Sequence, residues 1–326
     1  MLPSKLSGAV GEGQAKVSVT KRERYTSLSA DLRKLFGCRV QKITVDAGLN
    51  CPNRDGTVGV GGCIYCNATG SGSGAFAKGV SVREQIEIGK KAMIRRYKAK
   101  KFLVYFQSYT NTYAPVDHLA QIYGEALAID GVVGLCIGTR PDCVSEPTLD
   151  LLADLSQKHL IWLEYGLQSA HDSTLSVINR GHDRTAFVRA VKETQARNIR
   201  ACAHIILGLP GETRQMVRQT ARFLTDLDIG GVKLHLLYVV KGTPLEKLHN
   251  RGQYRCLTQE EYVEWTCDVL ERLPKNAVVH RLTGDPHPDE LVAPQWSLDK
   301  RGTLSAIEQR LEERKTRQGQ LVKIHL

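Results

Sequence analysis

The strongest constraint on this chain is an alternation of two patterns. Short, mainly apolar runs of strand length stand at 40–45, 102–106, 132–137, 160–167, 201–207, 232–240 and 278–282, the run 102–106 apolar throughout. Stretches of helical periodicity separate them. In 82–97, Val82, Ile86, Met93 and Tyr97 share one helix face, and in 116–128 Leu119, Ile122, Tyr123 and Ala126 do the same. Ser145 is placed to cap a helix with Pro147 in its first turn, and Asp183 to cap one bearing Phe187 and Val191. A helix over 213–227 carries Val217, Thr220 and Leu224, and Thr258 with Glu261 makes a capping box for another. Strands alternating with helices imply right-handed βαβ units and a parallel sheet. Mainly apolar strands without strict alternation suit a sheet covered on both faces. The expectation is an α/β fold, a partial or complete (β/α) barrel, with a doubly wound open sheet as the alternative. In either, chemistry belongs at the C-terminal ends of the strands.

Length and composition narrow the setting. A chain of 326 residues, 42% hydrophobic, holds one large domain or two ordinary ones. No apolar run reaches the ~18–20 residues that span a bilayer. The first 20 residues lack an apolar signal core, and Glu12 with its neighbouring glycines weighs against a transit peptide. A cytoplasmic protein with no membrane partner is expected. Nine cysteines are then not a disulfide framework.

Spacing singles out three of the nine. Cys51, Cys63 and Cys66 lie on one Gly-rich loop after the first strand, the last two as Cys-x-x-Cys. Gly56, Gly59, Gly61 and Gly62 let the backbone turn tightly round a bulky centre. Structural zinc competes, but it wants four ligands and no fourth Cys or His lies nearby. A redox Cys-x-x-Cys would leave Cys51 idle. Three thiolates suit an iron–sulfur cluster with one iron left open. Cys136 and Cys202 sit within apolar strands and read as small buried hydrophobes, and Cys38, Cys143, Cys256 and Cys267 form no compact ligand motif.

The net charge of +11 is clustered. Residues 1–50 hold nine Lys/Arg against four Asp/Glu, 82–101 eight against two, and 300–326 seven against three. Such excess is either a polyanion footprint or a set of solvated faces.

The three-cysteine loop after the first strand of a βα repeat resembles the signature of radical S-adenosylmethionine (SAM) enzymes. The spacing between the first two cysteines is longer than usual and resembles the branch of the Elongator catalytic subunit. More closely, the chain resembles the bacterial YhcC-like radical SAM proteins. The matching stretches begin at Cys51-Pro-Asn-Arg, Tyr105-Phe-Gln-Ser, Gly138-Thr-Arg-Pro, Glu164-Tyr-Gly-Leu-Gln, Asn179-Arg-Gly-His, Gly208-Leu-Pro-Gly and Lys233-Leu-His. They cover roughly residues 35–285. The resemblance implies a barrel of radical SAM type at 35–283, a basic N-terminal extension at 1–34 and a C-terminal extension at 284–326. It implies a [4Fe–4S] cluster on Cys51, Cys63 and Cys66, with SAM chelated to the fourth iron. An electron from a donor such as flavodoxin or ferredoxin then yields a 5′-deoxyadenosyl radical that takes hydrogen from a substrate.

Further roles follow from the same resemblance. Tyr65 is placed against the adenine. Gln107 and Ser108 stand where the superfamily has a Gly-Gly-Glu stretch for the methionine amino group. Glu164 is a candidate acceptor for the ribose hydroxyls, with Gln168 four residues on. Gly208 allows close backbone approach to the nucleoside. Lys233 and His235 alternate with leucines and are expected to face the lumen. Arg140 and Asp142 either contact substrate or pair together.

Two substrate classes stay open. The resemblance to the Elongator-like branch implies wobble uridines of tRNA, and the resemblance to YhcC-like proteins implies conversion of carboxymethylaminomethyl- towards aminomethyl-uridine there. The basic segments would then hold phosphates. The other class is a small metabolite or peptide. A non-catalytic zinc- or nucleic-acid-binding barrel is the remote third reading. The short stretch after residue 283 is expected to leave no room for an acetyltransferase domain.

Overall fold

The computed structural model describes residues 23–70, 72 and 74–322. Most of the expected N-terminal extension therefore lies outside the described residues. Seven parallel strands form one curled sheet in the order β1 (Val40–Val45), β2 (Lys101–Phe106), β3 (Val132–Thr139), β4 (Leu160–Gln168), β5 (Arg200–Leu207), β6 (Gly231–Leu236) and β8 (Val278–Arg281). Each strand pairs with the next in this order, and β1 and β8 do not pair with each other. The sheet is thus a half-barrel open between its edges.

The connecting helices obey the capping chemistry of the sequence. Helix α2 (Val82–Tyr97) starts with a reciprocal capping box between Ser81 and Glu84. Helix α3 is Val116–Leu127, and α4 (Glu146–Ser156) is capped by Ser145 with its proline in the first turn. Asp183 caps α6 (Arg184–Ala196), Thr213 caps α7 (Arg214–Asp226), and Thr258 with Glu261 boxes α9 (Gln259–Leu270). Burial of their apolar faces against Val104, Leu135, Ile137, Leu163, Ala203 and Leu234 makes the main core.

The run 232–240, expected as one strand, is broken. β6 ends at Leu236, and Val239–Val240 (β7) pairs antiparallel with Leu291–Ala293 (β9). The chain after residue 283 is therefore built into the body. Helix α10 (Lys300–Glu313) packs on α9, and Arg314 reaches Glu264, Asp268 and Glu271. Among the described residues the remaining α-helices are α1 (Leu28–Phe36), α5 (Asp172–Val177) and α8 (Pro244–Asn250). Periodicity gave no signal for these.

Helix α1 closes the lower end of the half-barrel. Leu28 and Leu32 are buried against Val40, Leu103, Trp162 and Val278, residues whose side chains point into the lumen. Strand alternation then sets the next layers. Above the apolar plug lie Lys42, Tyr105, Cys136, Glu164, Cys202, His204, Lys233 and His280. Above those, at the C-terminal strand ends, the lumen opens.

Candidate active site

A cavity of about 440 Å³ occupies the C-terminal ends of the strands. Cys51, Cys63, Tyr65, Cys66, Gln107, Glu164 and Gln168 all line it. Lys233 and His235 face it as well, as their alternation requires. Ser108 and Gly208 are not in its lining. Ser108 is buried behind the wall, where a Cβ on Gly72 would meet its hydroxyl at 1.7 Å. The Gly208 carbonyl is taken by the Tyr254 hydroxyl at 2.9 Å, and Ile206 lines the cavity instead.

The cysteine loop is folded by its glycines and tied down by asparagines. Gly56, Gly61 and Gly62 adopt positive φ, which favours glycine. Asn53 donates to the Asn179 carbonyl at 2.6 Å, and Asn179 returns a bond to the Gly62 carbonyl at 2.8 Å. The loop is thereby anchored to the turn after α5. That turn also sends Arg180 into the cavity, where it donates to the Gly166 carbonyl at 2.7 Å and toward Cys63 Sγ at 3.6 Å. A Cβ on Gly166 would lie 2.6 Å from the side-chain ends of both Arg180 and Gln168, so a larger residue there would push them aside. Arg54 donates to Cys66 Sγ at 3.3 Å.

The donor set fits an iron–sulfur cluster. Two guanidiniums aimed at cysteine sulfurs favour the thiolate ligands and an electron-rich centre. A zinc ion needs sulfurs converging on one point at about 2.3 Å. Among the described residues no three His, Cys, Asp or Glu side chains are grouped closely enough to hold one metal ion. A cluster instead takes each thiolate on a different iron. The Oδ1 atom of Asn53, beside Cys63, is buried without a partner.

Beneath the cavity, Glu164 is fully buried and carries four neighbours. It accepts from Lys42 at 2.8 Å, Lys233 at 3.0 Å, His204 at 2.7 Å and His280 at 3.1 Å. Burial alone would raise its pKa, but Lys233, Lys42 and the two histidines hold it well below the carboxylate range. Its oxygens accept from these four donors, where the resemblance had it take ribose hydroxyls. Burial and the nearby Lys233 push His204 down to about 3, and burial with Lys42 pushes His280 to about 4, so both imidazoles are neutral. Burial draws Lys233 down to about 8 against the pull of Glu164, and its ammonium also donates to the Tyr105 hydroxyl at 2.7 Å. Burial pushes the Cys136 thiol up to about 12, so it stays protonated.

Arg140 and Asp142 resolve into a pair, bidentate at 2.9 and 2.7 Å, with Arg140 also donating to the Arg180 carbonyl. The far wall comes from the segment after β8: Asp285, Pro286, His287, Glu290 and Leu291 line the cavity, and Glu290 accepts from Asn67 beside the cysteine loop. Arg54, Arg180 and Arg281 were given no role by spacing. The stretch Asn179–His182 stood out only as a motif, and Arg281 ends a strand that showed no polar pattern.

The basic segments divide. Arg83 stands near the C-terminal strand ends, whereas Arg95, Arg96, Lys98 and Lys100 lie exposed at the opposite end of the barrel beside Arg39.

A half-barrel with a three-cysteine loop over its mouth defines an enzyme of the radical SAM class. The chain belongs to the radical SAM superfamily: that family's model matches residues 51–224, and the radical SAM C-terminal domain model matches 229–313. Its cofactors are a [4Fe–4S] cluster and SAM. The chain is 43% identical to YtqA of Bacillus subtilis (strain 168), over 91% of this chain and 92% of that protein. It is 39% identical to YhcC of Escherichia coli (strain K12), over 82% and 85%. A tRNA uridine(34) acetyltransferase of Methanocaldococcus infernus is 26% identical over 47% of this chain and 29% of its own length. The solved structure of M. infernus Elp3 shares the fold, with a TM-score of 0.64 at 18% identity, covering 86% of this chain and 64% of that one. Among the described residues no helix is long and apolar enough to cross a membrane.

Proposed function

We propose that this radical SAM enzyme modifies the C5 substituent of the wobble uridine in tRNA, taking carboxymethylaminomethyl- towards aminomethyl-uridine; the methylene next to the carboxylate would give up one hydrogen atom and one electron, and water would then release the two-carbon group as glyoxylate. The observation that carries this reading is the partial similarity, over nearly half the chain, to a tRNA uridine(34) acetyltransferase. When bound, the cluster and SAM supply one-electron cleavage of a sulfonium and abstraction of hydrogen from the substrate. This chain's residues bind, orient and exclude water.

In this reading Cys51, Cys63 and Cys66 ligate the cluster, and Arg54 and Arg180 steady the thiolates. Tyr65 lies against the adenine. Gln107 and Gln168, both on the cavity wall, take polar ends of SAM. Glu164 is not a SAM contact; it fixes Lys233 beneath the substrate. A splayed uridine enters from the C-terminal end, and the wall at 285–291 screens it from water. Exposed cations such as Arg83 on α2 hold phosphates outside. A reductant delivers the electron.

The test is mass spectrometry of wobble nucleosides in cells lacking the protein. Accumulation of carboxymethylaminomethyl-uridine, reversed by the wild-type gene but not by Cys63→Ala, is the expected result. Unchanged uridine profiles would refute the tRNA reading, and 5′-deoxyadenosine formed only with a small metabolite or peptide would replace it.

A further inference from the structure

The floor of the cavity is charged in excess. Lys42, Lys233 and Arg281 stand against the single carboxylate Glu164, and Lys42 and Lys233 already share it. Arg281 has no ion pair among the described residues. It lies beside Lys233 on the neighbouring strand, their backbones paired in the β6–β8 ladder. Its Nη2 meets only the His235 ring, and its Nε is buried without a partner. The neighbouring imidazoles supply no negative charge, since burial and adjacent cations hold His204, His235 and His280 neutral. The carboxylates at the rim are engaged elsewhere: Asp285 with Lys300, Glu290 with Asn67. A half-buried guanidinium with its Nε enclosed and no counterion gains from an anion that joins it.

We propose that Arg281 and Lys233 form a receptor for a carboxylate carried by the substrate. Arg281 offers its fork and Lys233 its ammonium from adjacent strands, so an acid group seated at the floor meets both. A backbone phosphodiester does not suit this place, because both chain ends would have to leave through the same mouth. A terminal carboxylate on a side group reaches it. The identity of that side group as carboxymethylaminomethyl rests on the tRNA reading; the anion receptor does not. Specificity follows from the same arithmetic: an uncharged analogue would leave the half-buried guanidinium unpaired, which penalises it.

The test uses anaerobically reconstituted holoenzyme, calorimetry and four probes. The nucleosides are 5-carboxymethylaminomethyl-uridine and its carboxamide. The small probes are sodium acetate and acetamide at matched ionic strength. The wild type should prefer each acid over its amide by at least about tenfold. Arg281→Gln should erase that preference, and Arg281→Lys should restore part of it, which separates lost charge from lost folding. Acetate binding that depends on Arg281, with neither nucleoside bound, would keep the receptor and remove the uridine reading. Nucleosides bound without preference for the acid would remove the receptor and keep the uridine reading. Displacement of acetate by saturating SAM would assign the site to the SAM carboxylate and overturn the proposal.

Discussion

Replacing Glu164 tests the physical account of the barrel floor most directly. Its carboxylate is fully buried and accepts from two ammoniums and two imidazoles within 3.1 Å. Glu164→Gln keeps the shape and removes the charge, so Lys42 and Lys233 face each other without a counterion. Breaking a buried pair by removing one partner costs about 3–5 kcal/mol. For 326 residues, with an unfolding entropy of about 2.1 cal/mol/K per residue, the melting temperature falls by about 4–7 °C. A control is Glu146→Gln, whose carboxylate is 83% exposed and pairs with Arg197 at 3.5 Å. That change should cost less than about 1 kcal/mol. Both are measured by urea unfolding at pH 7, read by circular dichroism. Adding Lys42→Met to Glu164→Gln should recover part of the loss, because it removes one of the stranded charges. A Glu164→Gln protein as stable as the Glu146→Gln control, or no recovery in the double variant, would refute the reasoning.

Other outcomes follow from the same structure. Cys63→Ala should lose the broad brown iron–sulfur absorbance and 5′-deoxyadenosine formation together, checked on anaerobically reconstituted protein; full iron loading would remove this cysteine from the ligand set. Leu32→Ala opens a cavity in the plug beneath the barrel and should cost about 2–5 kcal/mol in urea unfolding. His204 and His280 are held neutral, at about 3 and about 4, but titrate near 6.5 in the unfolded chain, where more protons are then bound. Stability should therefore be full above pH ~6.5 and fall as the pH drops towards 4, by up to about 1.4 kcal/mol per pH unit for each histidine. A flat profile between pH 4.5 and 6.5 would contradict their neutral burial. Binding of acetate should weaken as pH rises through about 8, where Lys233 loses its proton, as followed by calorimetry.

Much of the framework was legible along the chain because its causes are local. An apolar run flanked by a capping residue and a helical face specifies one βα unit, and Ser81, Ser145, Asp183, Thr213 and Thr258 all cap the helices they precede. The cysteine loop was legible for the same reason: its three thiols and its glycines lie within sixteen residues. Alternation also foretold that Lys233 and His235 face inward.

The rest depends on which strands become neighbours and where the chain returns. Alternation gives Glu164 a face but no partners; those come from β1, β5, β6 and β8, brought round it by the curl of the sheet. That is why a carboxylate read along the chain as a cofactor contact gave no sign there of its pairing with Lys42 and Lys233. Packing also decided that α1 plugs the barrel, that β9 folds back on β7 to wall the cavity, and that Arg281 comes to rest beside Lys233 without an acid of its own. Local sequence determined the units, the three-cysteine loop and the family. Only the closure of strands distant in sequence decided the charge at the bottom of the site, because buried electrostatics is set by neighbours in space.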